Sequence, residues 1–171
     1  TLNGAVSLSS RDENLYSAMD DEDNLGLSYS AGIDMAPTAV TAGGRSLGKL
    51  GFNAGLRKVG ERFIPMGRLT EIEHGRKWGK EEGDIQGENF GEFQTVYSPL
   101  EDIELALEWG RLLKESGFQS ERKVLKLSVD RPEMPLLRYT EERITSLQSG
   151  NTDSGLWVRR QGRLESRWKR I

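Results

Sequence analysis

An α+β fold is what the sequence predicts, and three observations carry it. Apolar residues are concentrated in 92–149, where two alternating segments flank one with a wide apolar arc and helix-capping signals. Twelve of the 20 glycines fall in 43–91, and 92–149 holds only Gly110 and Gly117. Residues 1–42 are Ser, Asp, Ala and Gly punctuated by single apolar residues, with no sustained period. The expected organisation is an extended acidic arm (1–42), a Gly-rich strap that is basic and then acidic (43–91), and a compact α+β domain with a basic C-terminal tail (92–171).

The elements of the compact part follow in order. Glu92–Tyr97 alternates and is rich in aromatic and β-branched residues, which predicts a strand. Ser98, Pro99 and Glu101 match a capping box with proline at the first helical position, predicting a helix to Ser116 stopped by Gly117. Its polar positions Glu104, Glu108, Arg111 and Glu115 recur at helical spacing, and apolar residues cover the remaining arc. Lys123–Asp130 predicts a second strand, so the unit reads strand, helix, strand, with a right-handed crossover between parallel strands. Leu136–Gln148 predicts a second helix. Gln161-Gly162 lies between two alternating runs and predicts a hairpin closing the chain.

The preceding parts are less equipped to fold alone. The arm buries too little apolar surface to offset its ordering entropy, so a partner is expected to hold it. The chain opens on Thr1, which points to a processed N-terminus. In the strap, Phe52, Leu56, Val59 and Phe63 with Lys49, Arg57, Lys58 and Arg62 predict a basic amphipathic helix. Gly75, Gly79, Gly83, Gly87 and Gly91 recur every four residues among charged neighbours, as an irregular strap lying close to another surface.

Charge comes in blocks. Residues 1–44 carry seven acids and one base, 45–80 nine bases and three acids, and 81–108 nine acids and no base. Residues 149–171 carry six bases and two acids. There is no cysteine and one histidine, His74, so disulfides, thiolate metal sites and paired-histidine chemistry are excluded. Glu71, Glu73, Glu81, Glu82, Asp84, Glu88 and Glu92 show no ligand spacing and read as a solvated acidic face. Gly43–Leu50 (GGRSLGKL) resembles the phosphate-binding loop of nucleoside triphosphatases, with Leu50 where the magnesium-binding hydroxyl should stand. No apolar run reaches the ~18 residues of a membrane span, so no membrane span is expected, and no targeting signal is visible.

The function expected from these features is a non-catalytic structural subunit of a larger assembly, with no cofactor, metal or catalytic residue. It would meet other protein subunits through its arm and charged blocks, in a soluble compartment or within a particle. The contact residues expected are Arg159, Arg160, Arg163, Arg167, Trp168, Lys169 and Arg170 in the tail, and Lys49, Arg57 and Lys58 in the strap. A second reading places nucleic acid on the tail, where guanidinium groups would pair with phosphates and indoles stack on bases. A third is a small nucleotide-binding protein around Lys49.

Overall fold

The computed structural model describes residues 1–10, 25–65, 77–78, 86–132, 134–148 and 154–166. These form eight strands: β1 (Leu2–Ser10), β2 (Leu25–Ala42), β3 (Arg45–Val59), β4 (Glu88–Leu100), β5 (Ile103–Lys114), β6 (Phe118–Val129), β7 (Leu136–Gln148) and β8 (Ser154–Glu165). They make one sheet in the order β1 to β8, each strand antiparallel to its sequence neighbour.

The α+β expectation is therefore overturned. The predicted helix over 98–116 is the end of β4, a turn at Glu101-Asp102, and β5. Ile103, Leu105, Leu107 and Trp109 stand at every second position, although Ala106, Gly110 and Leu112 interrupt the polar phase, and the spacing of four between Glu104 and Glu108 fits a period of two as well as 3.6. The predicted helix over 136–148 is β7, and the amphipathic helix around 52–63 is β3 with the turn that follows it. The expected strands 92–97 and 123–130 lie in β4 and β6, but antiparallel β5 stands between them and no parallel crossover exists. Gln161-Gly162 is no hairpin: both residues sit mid-strand in β8, paired with Thr140 and Tyr139. The expected arm forms β1 and β2, and β2 is held by ladders on both sides.

The breaker residues have specific places. Gly43 and Gly44 (φ 56° and 76°) close the β2–β3 hairpin, as a two-residue turn of positive φ requires. This accounts for the glycines of the phosphate-loop resemblance; a strand follows them, not a helix. Pro37 and Pro99 both fall at register shifts, where a residue lacking an N–H costs no ladder bond.

Ladder partners share a face of the sheet, so the register assigns every strand residue to one of two faces. One face collects Leu2, Val6, Leu27, Ile33, Phe52, Phe93, Leu105, Leu107, Leu125 and Leu137, and is called apolar below. The other collects Asn3, Ser7, Ser28, Asn53, Arg57, Glu88, Glu108, Arg122 and Glu142, and is called polar. Burial is the reverse of what a soluble sheet shows. Among the described residues, every buried hydrophobic one (Val59, Phe63, Trp78, Ala106, Leu112, Val124, Leu136, Ile144) lies on the polar face or on the β3–β4 connection. The apolar face is open: Leu2, Leu8 and Leu164 are 82%, 74% and 71% exposed. The total accessible surface is 12655 Å², where a compact monomer of 19.2 kDa would show about 8,400 Å².

Candidate functional site

The polar face is partly covered by the β3–β4 connection. Gly60 N–H bonds the Leu27 carbonyl and Ile64 N–H bonds the Ser9 hydroxyl, so this segment crosses β2 and reaches β1. Phe63 is buried there, its backbone against Gly26. Farther along, Trp78 packs edge-on against Phe90 of β4 at 5.3 Å, lies over Gly110 of β5, and accepts a 2.8 Å hydrogen bond at its carbonyl from Ser120 of β6.

Several charges on this face are paired. Arg57 bonds Glu88 at 2.7 Å, with Glu88 wholly buried and the guanidinium over the Phe90 ring. Arg122 bridges Glu108 of β5 (3.0 Å) and Glu142 of β7 (2.6 Å), and Lys126 also bonds Glu108. Burial alone pushes the Glu108 carboxyl up, but its bonds to Lys126 and Arg122 outweigh this and hold it below its ordinary value. Two hollows remain. One of about 400 Å³ lies between β1 and β4 beside Asn3, Ser7, Asn53, Arg57 and Glu92. Another of about 240 Å³ lies beside Trp78, Gln94, Glu108 and Arg122.

A pH prediction follows. Because the Glu108 carboxyl titrates lower folded than unfolded, the unfolded chain binds more protons at acid pH. The stabilisation is complete above the ordinary carboxylate range near ~4.3 and is lost as pH falls through the lowered value. Arg122→Gln is expected to cost about 2 kcal/mol at neutral pH, since two carboxylates lose a partner in a site that keeps some water. It should also flatten the acid dependence, read from denaturant midpoints at pH 7 and pH 3. An unchanged acid slope would refute the assignment.

The apolar face has a boundary. On β3 the side chains change from apolar to charged between Leu56 and Lys58, on β5 between Trp109 and Arg111, on β6 between Leu125 and Lys123, and on β7 between Tyr139 and Glu141. Pairing places these at different heights. Leu56 and Arg111 both pair with Gly91, Trp109 pairs with Lys123, and Leu125 pairs with Glu141. The boundary thus descends by three steps of two residues over the four intervals from β3 to β7. At ~3.4 Å per residue and ~4.8 Å between strands, its slope is about 45° to the rows of paired residues.

Aromatic residues follow this line. Phe93, Trp109 and Tyr139 are the last apolar-face rings before it, and two of them turn polar tips across it. Trp109 Nε1 donates to Glu121 at 2.8 Å, and the Tyr139 hydroxyl donates to Glu141 at 2.7 Å. Those bonds, with Lys123 at Glu121 and Arg160 at Glu141, lower both carboxyls. Leu113, Leu147, Leu156 and Val158 lie beyond the line, nearer the chain reversals or on the edge strand β8.

The expected contact residues are dispersed. Lys49 and Arg57 stand on the polar face and Lys58 on the apolar face of β3. In β8, Arg159 and Arg163 share the polar face, whereas Arg160 lies on the other and pairs with Glu141 at 3.1 Å. Arg167, Trp168, Lys169 and Arg170 lie outside the described residues, as do His74, Glu71, Glu73, Glu81, Glu82, Asp84 and the glycines at 75, 79 and 83. Among the described residues no cluster of three or more carboxylates or histidines could hold a metal. The Trp78 anchor and the sloping boundary were missed from sequence, though the alternation of Leu25 to Met35 with Gly26 to Asp34 carries part of the signal.

No family model, curated protein or solved structure matches the chain. Among the described residues no helix is long and apolar enough to cross a membrane. Strands cross by a different pattern, one apolar side chain in two.

Proposed function

We propose that this sheet is part of the wall of a membrane-spanning β-barrel, a structural and non-catalytic role. The apolar face meets lipid, and the polar face with its covering connection faces the interior. The observation that carries this reading is the reversed burial bounded by a line sloping at about 45°. Strands in membrane barrels lie tilted by ~35–45°, so a level lipid boundary must cut obliquely across their paired rows. Strands β4 to β8 are 12 or 13 residues long, and the part on the apolar side of the boundary is 103–109 on β5 and 125–129 on β6. In lipid every backbone group must be paired, so the open edges of β1 and β8 are closed by each other or by neighbouring strands. The large accessible surface also agrees with a protein partner covering the apolar face, but that reading does not require the slope.

The test uses the absence of native cysteine. Single variants Phe93→Cys and Leu107→Cys on one face, and Gln94→Cys and Glu104→Cys on the other, are labelled with an environment-sensitive fluorophore in vesicles containing brominated lipid. The first pair is expected to be quenched by the lipid and the second by aqueous iodide. Equal aqueous quenching of both pairs, or no vesicle association, overturns the proposal.

A further inference from the structure

Just past the apolar boundary the same face carries Lys58, Arg111, Lys123, Arg143 and Arg160, on β3, β5, β6, β7 and β8. Lys58, Arg111 and Lys123 are the first residues past the boundary on their strands, Arg143 lies one step farther on β7 in the row of Lys123, and Arg160 pairs with Glu141, so the five follow the slope to within about one step. Only two carboxylates stand among them on this face, Glu121 and Glu141, which leaves the line cationic. Each takes part in a repeated arrangement. Trp109 donates to Glu121, which pairs with Lys123 at 3.0 Å; Tyr139 donates to Glu141, which pairs with Arg160 at 3.1 Å. A ring on the apolar side thus holds a carboxylate, and the carboxylate holds a neighbouring cation: Lys123 two residues nearer the boundary on β6, and Arg160 at the paired position on β8. Lys123 and Arg160 remain 58% and 66% exposed at the side chain. The opposite margin differs: its turns carry Glu101, Asp102 and Asp130, with Arg131 bonded to Asp102.

We infer that this cationic line binds the phosphate groups of anionic lipid headgroups, in the leaflet on the side of the β1–β2, β3–β4 and β7–β8 connections. The inference rests on the membrane-wall reading above. Guanidinium and ammonium groups on aliphatic stems can keep the stem along the apolar surface and the charge at headgroup depth. Planar guanidinium groups suit bidentate phosphate contacts.

The full chain carrying a label at Phe93→Cys is titrated with zwitterionic phosphatidylcholine vesicles and with vesicles that also contain phosphatidylglycerol. Tighter association with the anionic vesicles is expected, weakening with salt. Each cation near an anionic surface contributes about fivefold, so Lys123→Gln, Arg143→Gln and Arg160→Gln together should cut the preference by about 100-fold while zwitterionic association persists. Glu121→Gln with Glu141→Gln keeps every base and is expected to keep the preference. Equal association of the wild-type chain with both vesicles, a triple variant that retains the preference, or a carboxylate variant that loses it overturns the headgroup inference alone. No association with either vesicle overturns it together with the wall reading.

Discussion

Gly48→Ala is expected to destabilise the sheet by more than about 3 kcal/mol, well beyond the loss of one conformationally free residue. Gly48 has φ 99°, a region side chains rarely enter, and a Cβ there would lie 2.1 Å from the Ser98 carbonyl oxygen and 2.6 Å from Pro99 Cα. Both obstacles are backbone, so no rotamer relieves them. Relief requires β3 and β4 to part where their ladder begins, at Lys49 and Ser98. Gly44→Ala is the control: its φ is 76°, but a Cβ there meets nothing within 4 Å. It should cost only the strain of a left-handed alanine, about 1–2 kcal/mol. Denaturant unfolding of the two variants measures the difference. Equal losses would show that the close approach of β3 to β4 is not a constraint.

The position of Gly48 shows how far the sequence could be read. Its neighbourhood resembles a phosphate-binding loop because glycine and lysine recur in both. Here the glycines serve a hairpin turn and a tight strand approach, and only three-dimensional proximity to Ser98 distinguishes the two. Pro99 carries the same ambiguity, since proline opens helices and also sits at strand irregularities. The strands at 92–97 and 123–130 are legible because apolar residues alternate with polar ones there, aromatic and β-branched in the first and Leu125, Leu127 and Val129 in the second. β5 is not, since its polar face holds Ala106, Gly110 and Leu112, which blurs the alternation into a helix-like arc.

The arm was misread for a physical reason. From Leu25 to Met35 large apolar residues alternate with Gly, Ser and Asp, a clean period of two. A strand whose small polar face is the inner one does not resemble a strand built to bury its apolar side. The rule that apolar residues face the core assumes water outside; on the proposed membrane-wall reading it inverts. The alternating charge blocks resolve similarly: bases and acids far apart in sequence, such as Arg57 with Glu88 and Arg122 with Glu142, become ladder neighbours on one face.

Trp78→Ala is expected to release the β3–β4 connection from the polar face while leaving the ladders intact. Trp78 is 1% exposed, and removing a buried aromatic of this size costs about 3–5 kcal/mol. The ladders of β4, β5 and β6 do not pass through it, so far-ultraviolet circular dichroism should keep its strand signal. Trypsin cleavage after Lys77 should accelerate by about 100-fold, the equivalent of ~3 kcal/mol in local opening. Gly110→Ala attacks the same contact from the sheet side, because its Cβ would stand 2.4 Å from Trp78 Cη2 and 3.2 Å from Cζ2. It should expel the ring, with a red-shifted tryptophan emission and similar proteolysis. The double variant is then expected to be scarcely worse than Trp78→Ala alone, since the methyl at 110 has nothing left to strike. Additive losses would place the damage of Gly110→Ala within β5 itself and remove Trp78 as the anchor.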